Sequence, residues 1–99
     1  MAKRIIWTLE AAKERRDILE FWIKKTGNKN YSKKLAVEFR ETIKYIAKNN
    51  YMGRATDEKE IRVTICGNYL LFYEFTHEVI KMVCIWDSRR NPEKSRIKY

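Results

Sequence analysis

Glycine, proline, cysteine and histidine are all scarce in this chain: three, one, two and one among 99 residues. With so little glycine and proline and 44% apolar residues, disordered and fibrous classes are excluded and a globular domain is expected. One histidine and two cysteines without a CxxC spacing leave nothing from which to build a zinc site. Ser-His-Asp, Cys-His and phosphate-loop patterns are missing, and no ligand cluster supports metal or cofactor chemistry. No apolar run approaches the ~20 residues of a membrane span, and MAKRIIWTLEAAKERR has no signal-peptide core. A cytoplasmic protein is the expectation, with no membrane partner, and residues 1–99 are long enough for a single domain.

Positive charge is what the chain has in quantity. The net charge is +9, which suits a phosphate-bearing or acidic partner. Residues 1–50 hold 13 Lys and Arg against 6 Asp and Glu, and residues 51–99 hold 9 against 7. Residues 88–99 alone carry five cations against Glu93, so the basic charge divides between the first half and the C-terminal end.

The periodicities predict a strand over Lys3–Trp7, then a helix from Leu9 to Lys25 with Thr8 as its N-cap and Gly27-Asn28 as its stop. A second helix is expected from Ser32, read as its cap, to Lys48, with Leu35, Ala36, Phe39, Ile43, Ile46 and Ala47 as its apolar stripe. The short connection makes the two an antiparallel hairpin. Their basic residues read as a solvated face.

The period then changes to two. Ile61, Val63 and Ile65 fall on one face of a strand, Arg62 and Thr64 on the other. Gly67-Asn68 marks a hairpin turn, Tyr69–Phe75 reads as a central strand, and Val79–Trp86 completes an antiparallel meander. Cys66 and Cys84 would lie on its outer strands, about 10 Å apart by two strand spacings. That exceeds disulfide reach, so both read as inert buried thiols. The predicted fold is α+β, in the order β-α-α-β-β-β. The helical hairpin packs on one face of a small, mainly antiparallel sheet, with the first strand at an edge.

The site reading rests on arginines. Arg62 is expected on the sheet face turned away from the helices, Arg54 in the loop upstream, and Arg89 and Arg90 just past the last strand. Guanidinium groups hold phosphate bidentately and stabilise charge that develops in a transition state. Tyr69, Tyr73 and Trp86 offer rings for base stacking, although the two tyrosines also suit the core. Arg89 has a possible partner in Asp87, and His77 falls in an exposed turn. Asn91-Pro92 ends the last element before a mobile tail.

The element order, with YMGR after the second helix, GNYLLFYEF, and the closing IWDSRRNPEK, resembles the RelE/ParE superfamily of bacterial type II toxins over roughly residues 4–95. The resemblance implies a small toxin, linked to plasmid stabilization, growth inhibition and a cognate antitoxin partner. Members act in one of two ways. RelE-like toxins are mRNA interferases that bind the ribosome and cut mRNA without a metal; ParE-like toxins inhibit DNA gyrase and are not nucleases. The RelE pattern would make Arg62 and Arg89 the catalytic pair, with Arg54, Arg90 and Lys94 binding RNA. It carries over incompletely: Thr64, Leu70 and Ser95 stand where that pattern has further functional residues, and Tyr99 can replace the C-terminal tyrosine only if the tail folds back. Ribosome-dependent mRNA cleavage stands slightly ahead of gyrase inhibition, and a non-enzymatic antitoxin-binding remnant is the third reading.

Overall fold

The computed structural model describes residues 3–99. In chain order the elements are β1 (Arg4–Trp7), α1 (Leu9–Thr26), α2 (Asn30–Lys48), β2 (Arg54–Ala55), β3 (Arg62–Cys66), β4 (Tyr69–Phe75) and β5 (Val79–Asp87). A short 3-10 turn follows at Pro92–Lys94. The fold is α+β, two helices on a mixed five-stranded sheet of order β1-β5-β4-β3-β2. Among the described residues only β1 runs parallel to its neighbour, and it sits at an edge as expected.

Local chemistry explains the element ends. The Thr8 hydroxyl accepts from the Ala11 amide at 3.1 Å and opens α1. Gly27, at φ 78°, closes α1 by returning its N–H to the Ile23 carbonyl. Gly67 supplies the positive φ of the β3–β4 turn.

Ser32 is not the cap of α2. The helix begins two residues earlier, and the buried Ser32 hydroxyl donates to the Leu19 carbonyl at 2.9 Å, tying the hairpin together. The segment around Arg54, expected as loop, is a two-residue strand against β3.

The sheet is buried on both faces. Phe39, Ile43 and Ile46 of α2 pack with Cys66, Tyr69, Leu71, Tyr73, Ile80 and Met82 on the first face. Val63, Leu70, Phe72, Cys84 and Trp86 form a second cluster opposite, completed by Ile97. The tail is therefore not a mobile end. It folds back so that Ser95 and Ile97 are buried and the Tyr99 ring meets Phe72 edge-on at 5.6 Å. The Asp57 amide donates to the Lys98 carbonyl at 3.0 Å.

This second cluster inverts the expected facing of β3. Arg62, Thr64 and Cys66 pair with Tyr73, Leu71 and Tyr69, so they lie on the helix-covered face. Val63 faces the other way, and Ile65 is 71% exposed beyond the end of β2.

Candidate functional site

The arginines expected to converge occupy separate places. On β3, Arg62 Nη1 donates to the Gly53 carbonyl at 2.6 Å, and its guanidinium carbon lies 4.8 Å from the centroid of the Tyr51 ring. Gly53 in turn gives its N–H to the Tyr73 hydroxyl at 2.9 Å, and that hydroxyl donates to the Asn50 carbonyl at 2.8 Å. Burial pushes the Tyr73 phenol above its ordinary value, so it is neutral at physiological pH. A Cβ on Gly53 would stand 2.7 Å from the Tyr73 hydroxyl, which is the packing reason for glycine in YMGR. Arg62 thus fastens the segment that leaves α2.

Arg54 pairs with Val63 and therefore lies on the opposite face from Arg62, exposed beside Met52 and Ile65. Lys94 is exposed in the 3-10 turn. Only Arg89 and Arg90 stand together, in the turn after β5. Arg89 forms a fork on Asp87, with Nε 3.0 Å from Oδ1 and Nη2 2.9 Å from Oδ2. Its backbone N–H also reaches Oδ1, at 2.9 Å. These contacts hold the Asp87 carboxyl below the usual carboxylate range and raise the Arg89 guanidinium. Arg90 lies over the Trp86 ring, 4.5 Å from its centroid, so that ring is a buried platform for an arginine and not an open stacking surface. Tyr69 and Tyr73 are core residues.

Register separates the two groups. Arg62 is level with Tyr73 on β4 and Met82 on β5, whereas Asp87 is level with Tyr69 at the other end. Four residues along a strand and two strands across amount to about 16 Å between backbones. His77 is exposed in the β4–β5 turn, at the far end of β5 from Arg89. Among the described residues no group of three or more His, Cys, Asp or Glu could hold a metal ion.

The residue that periodicity missed is Glu14. Strand β1 ends opposite Met82, leaving Val83–Asp87 without a strand partner on that side. Glu14 Oε1 accepts from the Ile85 amide at 3.1 Å and from Arg96 Nη2 at 2.9 Å. Arg96 also donates to the Val83 carbonyl at 2.8 Å. One carboxylate therefore blunts the open edge and anchors the tail. Beside it runs a groove of about 360 Å³ between α1 and β5, lined by Glu14, Phe21, Ile85, Trp86, Asp87 and Arg90 among others. The buried Trp86 Nε1 has no acceptor among the described residues.

The chain thus presents a helical hairpin on a two-faced mixed sheet, with basic groups at the strand ends and a groove along the β5 edge. A solved structure described as "Chromosomal ParDE TA system from P. aeruginosa" has the same fold, with a TM-score of 0.73 at 17% identity, covering 85% of this chain and 94% of that one. The family described as "ParE toxin of type II toxin-antitoxin system, parDE" matches residues 5–92, and the chain belongs to it. No curated protein matches. Membership makes this the toxin half of a type II pair, and its partner a cognate antitoxin. No described helix is long and apolar enough to cross a membrane.

Proposed function

We propose that the protein arrests growth in the cytoplasm by inhibiting DNA gyrase, without cutting nucleic acid. One observation carries this reading: the basic residues that cleavage would need are dispersed and already engaged. Arg62 is committed to Gly53 and Tyr51, and Arg89 to Asp87. Cleavage also requires a group to take the 2′-OH proton, and an arginine is a poor base at its reference pKa of about 12.5 or above. The sole histidine lies at the wrong end of β5. The ParE family match points in the same direction. The groove beside β5 suits the antitoxin's chain, since β5 runs on past the end of β1 there and the groove offers both apolar and charged lining to a docked segment.

Ribosome-dependent mRNA cleavage is the second reading, favoured by the exposed Arg89–Arg90 pair. Under it Arg62 and Arg89 act on the phosphate, with Arg54, Arg90 and Lys94 on the RNA backbone, and the ribosome completes the site. Radiolabel incorporation after induction separates the readings. Thymidine incorporation falling first, with loss of supercoiling by purified gyrase, supports the gyrase reading. Methionine incorporation falling first overturns it in favour of the ribosome. If neither falls, the chain is a remnant that only binds its antitoxin.

A further inference from the structure

The tip of the helical hairpin concentrates lysine without acid. Between Phe21 and Val37 there are five lysines, Lys24, Lys25, Lys29, Lys33 and Lys34, and no acidic residue. All five are exposed, and among the described residues none joins an ion pair. Two aromatic rings stand open among them, Phe21 at 53% exposure and Tyr31 at 37%. A solvated helix face accounts for the lysines, while the two uncovered rings leave apolar area in water that a flat partner would cover.

The tip is joined to the Arg89–Arg90 turn. Trp22 holds both rings edge-on, with centroids 5.1 Å from Phe21 and 4.8 Å from Tyr31. Its Nε1 donates to the Tyr69 hydroxyl at 2.7 Å, and Tyr69 lies opposite Asp87, which grips Arg89. Five lysines and Arg90 therefore share one end of the molecule, with the paired Arg89 beside them. The acids around it are Glu20 and Glu38 at the two ends of the lysine run, Asp17, paired with Lys13, and Asp87, already neutralised by Arg89.

We propose that this end is a docking surface for single-stranded nucleic acid, its phosphates held by the tip lysines with Arg90, and its bases stacked on Phe21 and Tyr31. Lysine heads on flexible stems follow a phosphate chain without reading sequence, and open rings accept any unpaired base. Charge alone suits an acidic polypeptide equally; the two rings beside the lysines favour a chain that carries a phosphate and a stacking base at every residue. Because the contacts are to phosphate and base faces, RNA and DNA strands bind alike. The inference depends neither on gyrase nor on the ribosome being the target.

Fluorescence anisotropy with labelled oligo-rU and oligo-dT of about twelve nucleotides tests it on the purified full chain. From about 50 to about 200 mM salt, reversing three tip charges (Lys29→Glu, Lys33→Glu, Lys34→Glu) should weaken binding at least about tenfold and flatten the log–log salt slope by about 2. Phe21→Ala with Tyr31→Ala should weaken binding about fivefold or more at unchanged slope. The matching glutamine triple at the tip, checked by circular dichroism, guards against misfolding. Three reversals farther along α2 (Arg40→Glu, Lys44→Glu, Lys48→Glu) should have a much smaller effect. Equal loss from that set means bulk charge alone and overturns the proposal, as does polyglutamate competing as well as the oligonucleotides. Growth arrest is scored separately, so loss of the gyrase reading leaves this result standing.

Discussion

Asp87 grips Arg89 at two points, Nε to Oδ1 at 3.0 Å and Nη2 to Oδ2 at 2.9 Å, on the surface just where β5 ends. The fork sets the direction of the turn into Arg90, and it lowers the carboxyl's affinity for protons. A depressed carboxyl stabilises the fold above its unfolded value of about 3.9, and loses that contribution as pH falls through the lower folded value. Arg89→Ala should therefore show a small deficit in Tm, constant from about pH 5 to 8, that fades as acid protonates the carboxyl; exposure keeps it small. Thermal melts across that range measure it.

Gly53 admits no side chain. Gly53→Ala places a Cβ 2.7 Å from the Tyr73 hydroxyl and 2.9 Å from the Val63 carbonyl. The expected cost is about 1–3 kcal/mol, read as a lower urea midpoint. Tyr73→Phe removes the acceptor for the Gly53 amide and the donor to Asn50, and should cost about 1–3 kcal/mol.

Glu14→Ala strips the open half of β5 of its cap. The Ile85 amide loses its acceptor and Arg96 its carboxylate, for a loss of about 1–3 kcal/mol. Hydrogen exchange at Ile85 should accelerate more than at Leu71, in the sheet interior.

Ile97→Ala tests whether the tail belongs to the core. The side chain is 6% exposed against Phe72 and its neighbours, so its truncation should cost about 2–5 kcal/mol. A solvated tail would show no change in the denaturation midpoint.

Burial on the second face, with the Glu14 carboxylate close by, pushes the Cys84 thiol up to about 12. It should resist a thiol reagent at about pH 8 in the native state and react promptly in denaturant. A folded-state pKa above the unfolded value of about 8.5 stabilises the fold below that pH, and the contribution is lost as pH rises towards 12. Titrating thiol reactivity with urea measures both.

Much of this was legible beforehand because it is local. Thr8, Gly27 and Gly67 each act within four residues, and the helical and strand periods are written into neighbouring positions. Ser32 shows where local reading stops: the same hydroxyl that caps helices elsewhere serves here as a bridge to Leu19, thirteen residues away. Glu14 left no trace in any periodic pattern, because its partners are at Ile85 and Arg96. Among the arginines, the Asp87–Arg89 pairing was readable from a spacing of two. The Arg62 contact with Gly53 was not, since it depends on how the chain leaves α2.

By itself the sequence determined the kinds and order of the elements apart from the short β2, the edge place of the first strand and the separation of the two cysteines. It did so through short-range sterics, capping and a count of apolar stripes. Only the tertiary structure decided which face of the sheet each arginine occupies. Strand β4 is apolar at nearly every position, so it fits either facing equally well. The choice fell to the returning tail, whose Ile97 and Tyr99 cover the face that Val63 occupies, while the β2–β3 register sets Arg54 on that face and Arg62 on the other.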